Sequence, residues 1–274
     1  MPNGRSEKPS ALTQAVTRDV LALLEGVPDA GRLEQALRHL AKWRARLIQN
    51  TLTAREGCNV LSGPFEGLIY DTQATEGAGV ARLIGCYEAS LAPVFEQIIA
   101  QSYPLVVDVG CAEGYYAIGL ARQMPDTRVM ACDSNPGARA ACAALARRNG
   151  VDGRVTVHGT LDHADLAVCA DQRTLILCDI EGAEAVLLDP ARAPALTHAD
   201  ILVEVHDCFT PGLSDEMTQR FARTHSVQRI GRSADTAALP DWMEQLSDLD
   251  RLLCLWEWRI GPTPWLWMQS RNPR

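Results

Sequence analysis

A chain of 274 residues, 47% of them apolar, can hold one α/β domain with an appendage and bury a full core. Its net charge of −8 argues against a broad nucleic-acid footprint, which needs a basic face. No run of about eighteen apolar residues is present to span a membrane.

The first ten residues, MPNGRSEKPS, are polar, lack the apolar core of a signal peptide and read as a frayed tail. Two amphipathic helices follow. Leu12, Val16, Val20, Leu23 and Leu24 form one apolar stripe, and Leu33, Leu37, Leu40, Trp43 and Leu47 form another, with Asp29 as N-cap of the second. Residues 1–56 are therefore expected to form a helical extension, serving as a lid, a dimer surface or a hairpin packed on the core. The second helix carries Arg32, Arg38, Lys42, Arg44, Arg46 and Arg55, which by default is a solvated face. Residues 57–71 read as a loop with short strands, punctuated by Gly63-Pro64 and Gly67.

From residue 105 onward, strands and helices alternate. Strands are expected at 105–109, 128–132, 155–158, 174–179 and 200–205, with helices at 115–123, 136–149, 183–188 and 212–224. Such alternation implies a parallel sheet with helices on both faces. The tail adds a strand at 226–230, a helix near 247–258 and a last strand at 265–269. Five of the six tryptophans crowd this tail and suit either core packing or the floor of a sugar or macrocycle site. The nine cysteines are scattered and lack zinc spacing, so they read as reduced, mostly buried side chains of a cytoplasmic protein. A catalytic thiol at Cys111 or Cys208 carries little weight.

Ligands in an open α/β sheet bind beyond the carboxyl ends of the strands, so the strand ends carry the functional argument. The first ends in Asp108, followed by Gly110 and Gly114 in the spacing D-x-G-x-x-x-G. Gly110 permits backbone angles closed to other residues, Gly114 lets a ligand approach the main chain, and the next helix offers free N–H groups to a carboxylate. This run resembles motif I of class I S-adenosylmethionine (SAM)-dependent methyltransferases. Asp133 closes the second strand, about twenty residues on, where an acid accepts ribose hydroxyls. The third ends at His158-Gly159-Thr160, with Asp162 either recognising an adenine amino group or capping the next segment. The fourth runs into Asp179 and Glu181, which share the parity of Leu175 and Leu177. On the fifth, Glu204 and His206 share a face and Asp207 follows, so a histidine stands between acids at the sheet end.

D-x-E-G-x-E at 179–184 and E-V-H at 204–206 resemble the FkbM-type branch of these methyltransferases, as do Gly85-Cys86-Tyr87-Glu88 and the paired Tyr115-Tyr116. Many relatives carry an Ala-Asn-Ile type sequence between the glycines, where this chain has Cys111-Ala112-Glu113. The resemblance covers roughly residues 57–210. It implies a Rossmann-like class I methyltransferase sheet of seven mostly parallel strands over residues 57–274. It also implies SAM as cofactor and O-methylation of a hydroxyl on a sugar, polyketide or other secondary metabolite. The expected cofactor residues are Glu88, Asp108, Gly110, Gly114, Asp133, Thr160, Asp179 and Glu181. The expected catalytic group is His206 as general base, with Glu204 and Asp179 beside it and Glu204 or Asp207 orienting its second nitrogen.

No metal is required on this reading. Three alternatives stand beside it. Asp179, Glu204 and Asp207 can hold Mg²⁺. A nucleic-acid methyltransferase would use the basic helix, although the fourth strand lacks an N/D-P-P-aromatic signature. A non-catalytic SAM-binding module would keep the cradle without a base. Expected partners are a small-molecule or carbohydrate acceptor and a second copy of the chain.

Overall fold

The computed structural model describes residues 9–71, 78–233 and 239–274. Most of the tail read as frayed lies outside them, as do parts of the 57–80 and 209–250 segments. Five parallel strands form the centre: β1 (Leu105–Val109), β2 (Arg128–Cys132), β3 (Val155–His158), β4 (Thr174–Cys178) and β5 (Asp200–Glu204). β6 (His225–Ile230) and β7 (Trp265–Ser270) complete a seven-stranded sheet of order β3-β2-β1-β4-β5-β7-β6, in which β7 runs antiparallel to both neighbours. The expected α/β architecture is present. Its order reverses between β1 and β4, and a crevice opens there beyond the strand ends.

Side-chain alternation divides the core into two layers. Val106, Val129, Ala131, Leu175, Leu177, Leu202, Trp265 and Trp267 pack on one face of the sheet. Val107, Cys132, Ile176, Cys178, Ile201, Val203, Leu266 and Met268 pack on the other. Trp265 and Trp267 are thus core residues. All nine cysteines are free thiols, and seven of them are buried.

The crossover helices are α5 (Tyr115–Gln123), α6 (Pro136–Arg148), the short α7 (Glu184–Leu187) and α8 (Leu213–Phe221), close to the expected spans. Ahead of the sheet stand α1 (Ala11–Leu24), α2 (Ala30–Glu56), α3 (Gly79–Ile84) and α4 (Ala92–Gln101); α9 (Asp248–Cys254) precedes β7. Asp29 caps α2 as expected, its carboxylate accepting from the Gly31 N–H at 3.3 Å. The expected short strands within 57–71 reduce to one bridge between Asn59 and Ile69.

The expected stripe on α2 is only partly the buried one. Ala36, Ala41, Ile48 and Leu52 are buried, whereas Leu33, Leu37 and Leu40 stay exposed. α2 packs against α1, α3 and α9. None of the described helices is long and apolar enough to cross a membrane.

Candidate active site

Two cavities open at the carboxyl edge of the sheet. The larger, about 660 Å³, lies over the ends of β1, β2, β3 and β4, within the size range of small-ligand sites. Gly110, Asp133, Thr160, Asp179 and Glu181 line it, as does Asp162. The second, about 320 Å³, is lined by Asp179, Glu181, Glu204, His206, Phe209 and Arg259 among others. Asp179 and Glu181 stand in the wall common to both.

The turn after β1 is fixed from two sides, by β4 and by the end of β2. Gly110 has φ +85°, and a Cβ there would lie 1.7 Å from the Asp179 carbonyl oxygen, so only glycine lets β1 and β4 converge at the crevice. Asp133 accepts from the Ala112 N–H at 2.9 Å and the Asn135 N–H at 2.7 Å. Each of its oxygens keeps lone-pair capacity for a ribose hydroxyl. Asp162 caps the next turn, accepting from the Ala164 N–H at 2.7 Å.

Three of the expected cofactor residues do not face the larger cavity. Gly114 (φ +96°) begins α5, and a Cβ there would lie 2.8 Å from the Cys142 Sγ. It serves the packing of α5 on α6, so the expected ligand approach at Gly114 gives way to helix packing. Asp108 is buried behind the turn; burial and the charge of Asp179 push its carboxyl up to about 8. Glu88 is buried beside Tyr116, Trp265 and Arg259, whose polar atoms it engages.

Glu113, within the unusual Cys-Ala-Glu run, is also turned inward. It pairs with buried Arg82 and accepts from the Tyr70 hydroxyl at 2.5 Å. The Cys111 thiol is held well above the usual range by its hydrogen bond with Cys142 and by burial, which disfavours the reactive thiolate.

His206 follows β5 and is buried. Its Nδ1–H donates to Glu184 Oε1 at 2.6 Å, which leaves Nε2 with Glu204 Oε2 at 3.7 Å and Asp179 Oδ1 at 3.8 Å. The expected orienting groups are therefore corrected. Glu204 lies on the Nε2 side, bound to Arg259. Asp207 points away, accepting from the Ser214 N–H at 2.8 Å and hydroxyl at 2.6 Å at the start of α8 and pairing with Arg229.

Glu184 takes the orienting role because the chain turns sharply after Asp179. Glu181 (φ +50°) and Gly182 (φ +105°) both adopt left-handed angles, which ends the strand parity. Glu184, at the first turn of α7, is swung under His206 and also accepts from the Gly182 N–H at 2.9 Å. It is the closing acid of D-x-E-G-x-E, so a signal for it was present. Arg259 had none: it comes from the segment before β7 and bridges Glu88, Glu204 and Glu257.

The charges are mutually adjusted. Burial lowers the affinity of His206 for a proton, but the Glu184 hydrogen bond and the charges of Glu184, Asp179 and Glu181 outweigh it, leaving its pKa above the ordinary histidine value. Asp179 is raised to about 6 by burial, with His206 acting in the opposite sense. Burial raises Glu184 too, yet the hydrogen bonds from His206 and Gly182 prevail and hold it below the usual carboxylate range. A base at Nε2, an oriented Nδ1 and a shared acidic wall together suit proton abstraction beside a bound cation. Asp179, Glu184 and His206 also offer ligand atoms within 4.8 Å of one another.

Residues 106–199 match the family model described as a methyltransferase domain. Among solved structures, the chain is similar to a precorrin-6y C5,15-methyltransferase from Geobacter metallireducens at 14% identity, covering 65% of this chain and 89% of that one, with a TM-score of 0.44. It is similar to the O-methyltransferase TomG from Streptomyces achromogenes, in complex with SAM, at 13% identity, covering 96% and 99%, with a TM-score of 0.43. It is likewise similar to an O-methyltransferase from Bacillus cereus, in complex with SAH, at 12% identity, covering 94% and 97%, with a TM-score of 0.42. No curated protein matches the sequence. Over residues 106–199, the stretch that carries β1 to β4 and the Gly110 turn, the chain is therefore similar to a methyltransferase domain.

Proposed function

We propose that this chain O-methylates a hydroxyl group of a small-molecule acceptor, a sugar or a secondary metabolite, with His206 as the general base. The observation that carries the reading is His206 itself, held through Nδ1 by Glu184 at 2.6 Å in the cavity that shares its acidic wall with the larger one. The larger cavity takes the cofactor. Asp133 would receive the ribose hydroxyls there, and the Gly110 turn and Thr160, which line the same cavity, would hold the rest of the cofactor. SAM supplies an electrophilic methyl group on a sulfonium.

The chain's own residues supply alignment and proton removal. Holding two reactants in line is worth about 7–11 kcal/mol, and a positioned base adds roughly 10²–10⁴ in rate. Asp179 faces the cofactor side and His206 together, so one carboxylate answers positive charge in both cavities. The D-x-E-G-x-E and E-V-H elements support an FkbM-type assignment. Residues 1–56 are read as a lid or a contact with a second copy, motivated by exposed Leu21, Leu33 and Leu37.

The experiment is a transfer assay with radiolabelled SAM over a panel of sugar, phenol and polyketide hydroxyls, repeated with the amine analogues. Hydroxyl acceptors turned over with a pH-dependent rate support the reading, and transfer only to amines overturns it. A second reading, favoured by the Asp179–Glu184–His206 cluster, makes these residues metal ligands. On that reading, chelation stops turnover and a divalent cation restores it.

A further inference from the structure

A third cavity, of about 340 Å³, lies between α2, α1 and the chain entering β7. Its polar lining on α2 comprises the cations Lys42 and Arg46 with His39 and Gln49, and its flat walls are Trp43, Trp256 and Trp258. No acid is among its lining residues. Two other cations of α2 are engaged elsewhere: Arg44 donates to both oxygens of Asp250 at 2.6 Å, and Arg55 lies 4.5 Å from the Trp242 ring centroid. Lys42 and Arg46, by contrast, have no carboxylate partner among the described residues, and Lys42 stands 5.2 Å over the Trp258 ring.

Trp258 connects this cleft to the site. It lines both the cationic cavity and the one that contains His206. Its φ is +65°, a conformation costly for a bulky side chain and maintained only where the surroundings impose it. Here they do. Trp256 stacks on Trp258 at 4.1 Å and 13°, while Glu257 and Arg259, on either side of it, are drawn into the ion network with Glu88. The segment thus turns its indoles toward α2 and its charges toward His206.

We infer that the cleft is the second half of the acceptor site, and that the acceptor carries an anionic group, a phosphate, sulfate or carboxylate, next to a ring that lies on Trp258. An ion held by Lys42 and Arg46 would leave the far end of such a molecule in the His206 cavity. The acidic wall at Asp179 and Glu181 repels the anionic end and so sets the orientation. This deepens the proposed function, since it rests on the His206 cavity being the acceptor site.

The test is binding rather than turnover. Phenyl phosphate and its neutral counterpart phenol are titrated against the full chain by tryptophan fluorescence and calorimetry at about 0.1 M salt. Phenyl phosphate is expected to bind saturably and at least about tenfold more tightly than phenol. In the double variant Lys42→Met/Arg46→Met, which leaves helix propensity intact, that preference should fall by about tenfold or more, because charge-assisted contacts are lost. Phenol and SAM affinity should stay within about twofold, which also reports folding. Trp258→Leu should weaken both aromatic probes while sparing SAM. Equal affinity of wild type and double variant for phenyl phosphate, equal affinity for phenol, or no binding of phenyl phosphate would each overturn the inference. Absent SAM binding would instead count against the cofactor reading, so the two failures are distinct.

Discussion

Replacing His206 tests the base assignment, and the structure dictates which substitution is informative. Alanine removes the base, but it also leaves Glu184, 0% exposed, without the imidazole that pairs with it. Stranding a buried carboxylate costs about 3–5 kcal/mol, a large share of the roughly 5–15 kcal/mol that holds a protein folded. A loss of activity in His206→Ala therefore mixes catalysis with stability. Asparagine is the better choice, because its amide nitrogen comes close to the Nδ1 position and can still donate to Glu184, while nothing replaces Nε2. His206→Asn is expected to lower kcat by roughly 10²–10⁴, or about 3–5 kcal/mol of barrier, with SAM affinity within about twofold. Its urea midpoint should stay closer to wild type than that of His206→Ala. The acid limb of the pH–rate profile should vanish, since the group that titrates is gone. Stopped-assay kcat, calorimetric SAM affinity and urea unfolding on both variants separate the contributions. A near-wild-type kcat in His206→Asn would refute the assignment.

Glu184→Gln should move the acid limb of kcat to lower pH, since the charge that raises the His206 pKa is removed; an unmoved limb in the pH–rate profile would mean another group titrates. Gly110→Ala should abolish calorimetric SAM binding, because its Cβ would lie 1.7 Å from the Asp179 carbonyl oxygen and must part β1 from β4; retained affinity would remove the turn from the cofactor site. EDTA should leave turnover within about twofold if His206 is the base, and complete loss rescued by Mg²⁺ would assign Asp179, Glu184 and His206 as ligands. Asp108 titrates near 8 in the folded chain against an ordinary value of 3.8, so its contribution to stability is full below about pH 4 and is lost as pH rises through about 8. Asp108→Asn should lack that loss, and its urea midpoint should gain on wild type over that window; parallel curves would contradict the raised pKa.

The strand framework was legible because each central strand is a short apolar run bounded by turn residues. β1, β2 and β3 begin and end where that pattern places them. The helices α3 and α4 were not legible: Gly85 and Pro93 interrupt the stretch, and its apolar stripe reduces to Val94, Phe95 and Ile98. α9 ends at Cys254 rather than near 258, because the next residues are pulled apart by the Trp256–Trp258 stack and the Arg259 ion pairs. On α2 the stripe was visible but its partner was not, and the small Ala36 and Ala41 ended up inside while larger leucines stayed out.

In the candidate site, strand ends located Asp133, Asp179, Glu204 and His206, since position along a parallel strand fixes which edge a residue reaches. Contacts made after the chain leaves the strand were not fixed in this way. Parity grouped Asp179 with Glu181, yet the left-handed turn at Glu181 and Gly182 carried Glu184 under the imidazole instead. Arg259 reaches Glu204 only because β7 inserts antiparallel beside β5, a consequence of topology that no local spacing encodes. The result is an acid-rich site whose acids have different tasks. Glu184, held below the usual range, stays charged and orients Nδ1. Glu204 is neutralised by Arg259. Asp179 stands 3.8 Å from Nε2 in the wall of both cavities. On the proposed reading, a proton arriving at His206 places positive charge beside a carboxylate that also lines the larger cavity. The same side chain that favours a cation there lowers the cost of forming the imidazolium, so the charge that proton removal creates is met by groups fixed in advance.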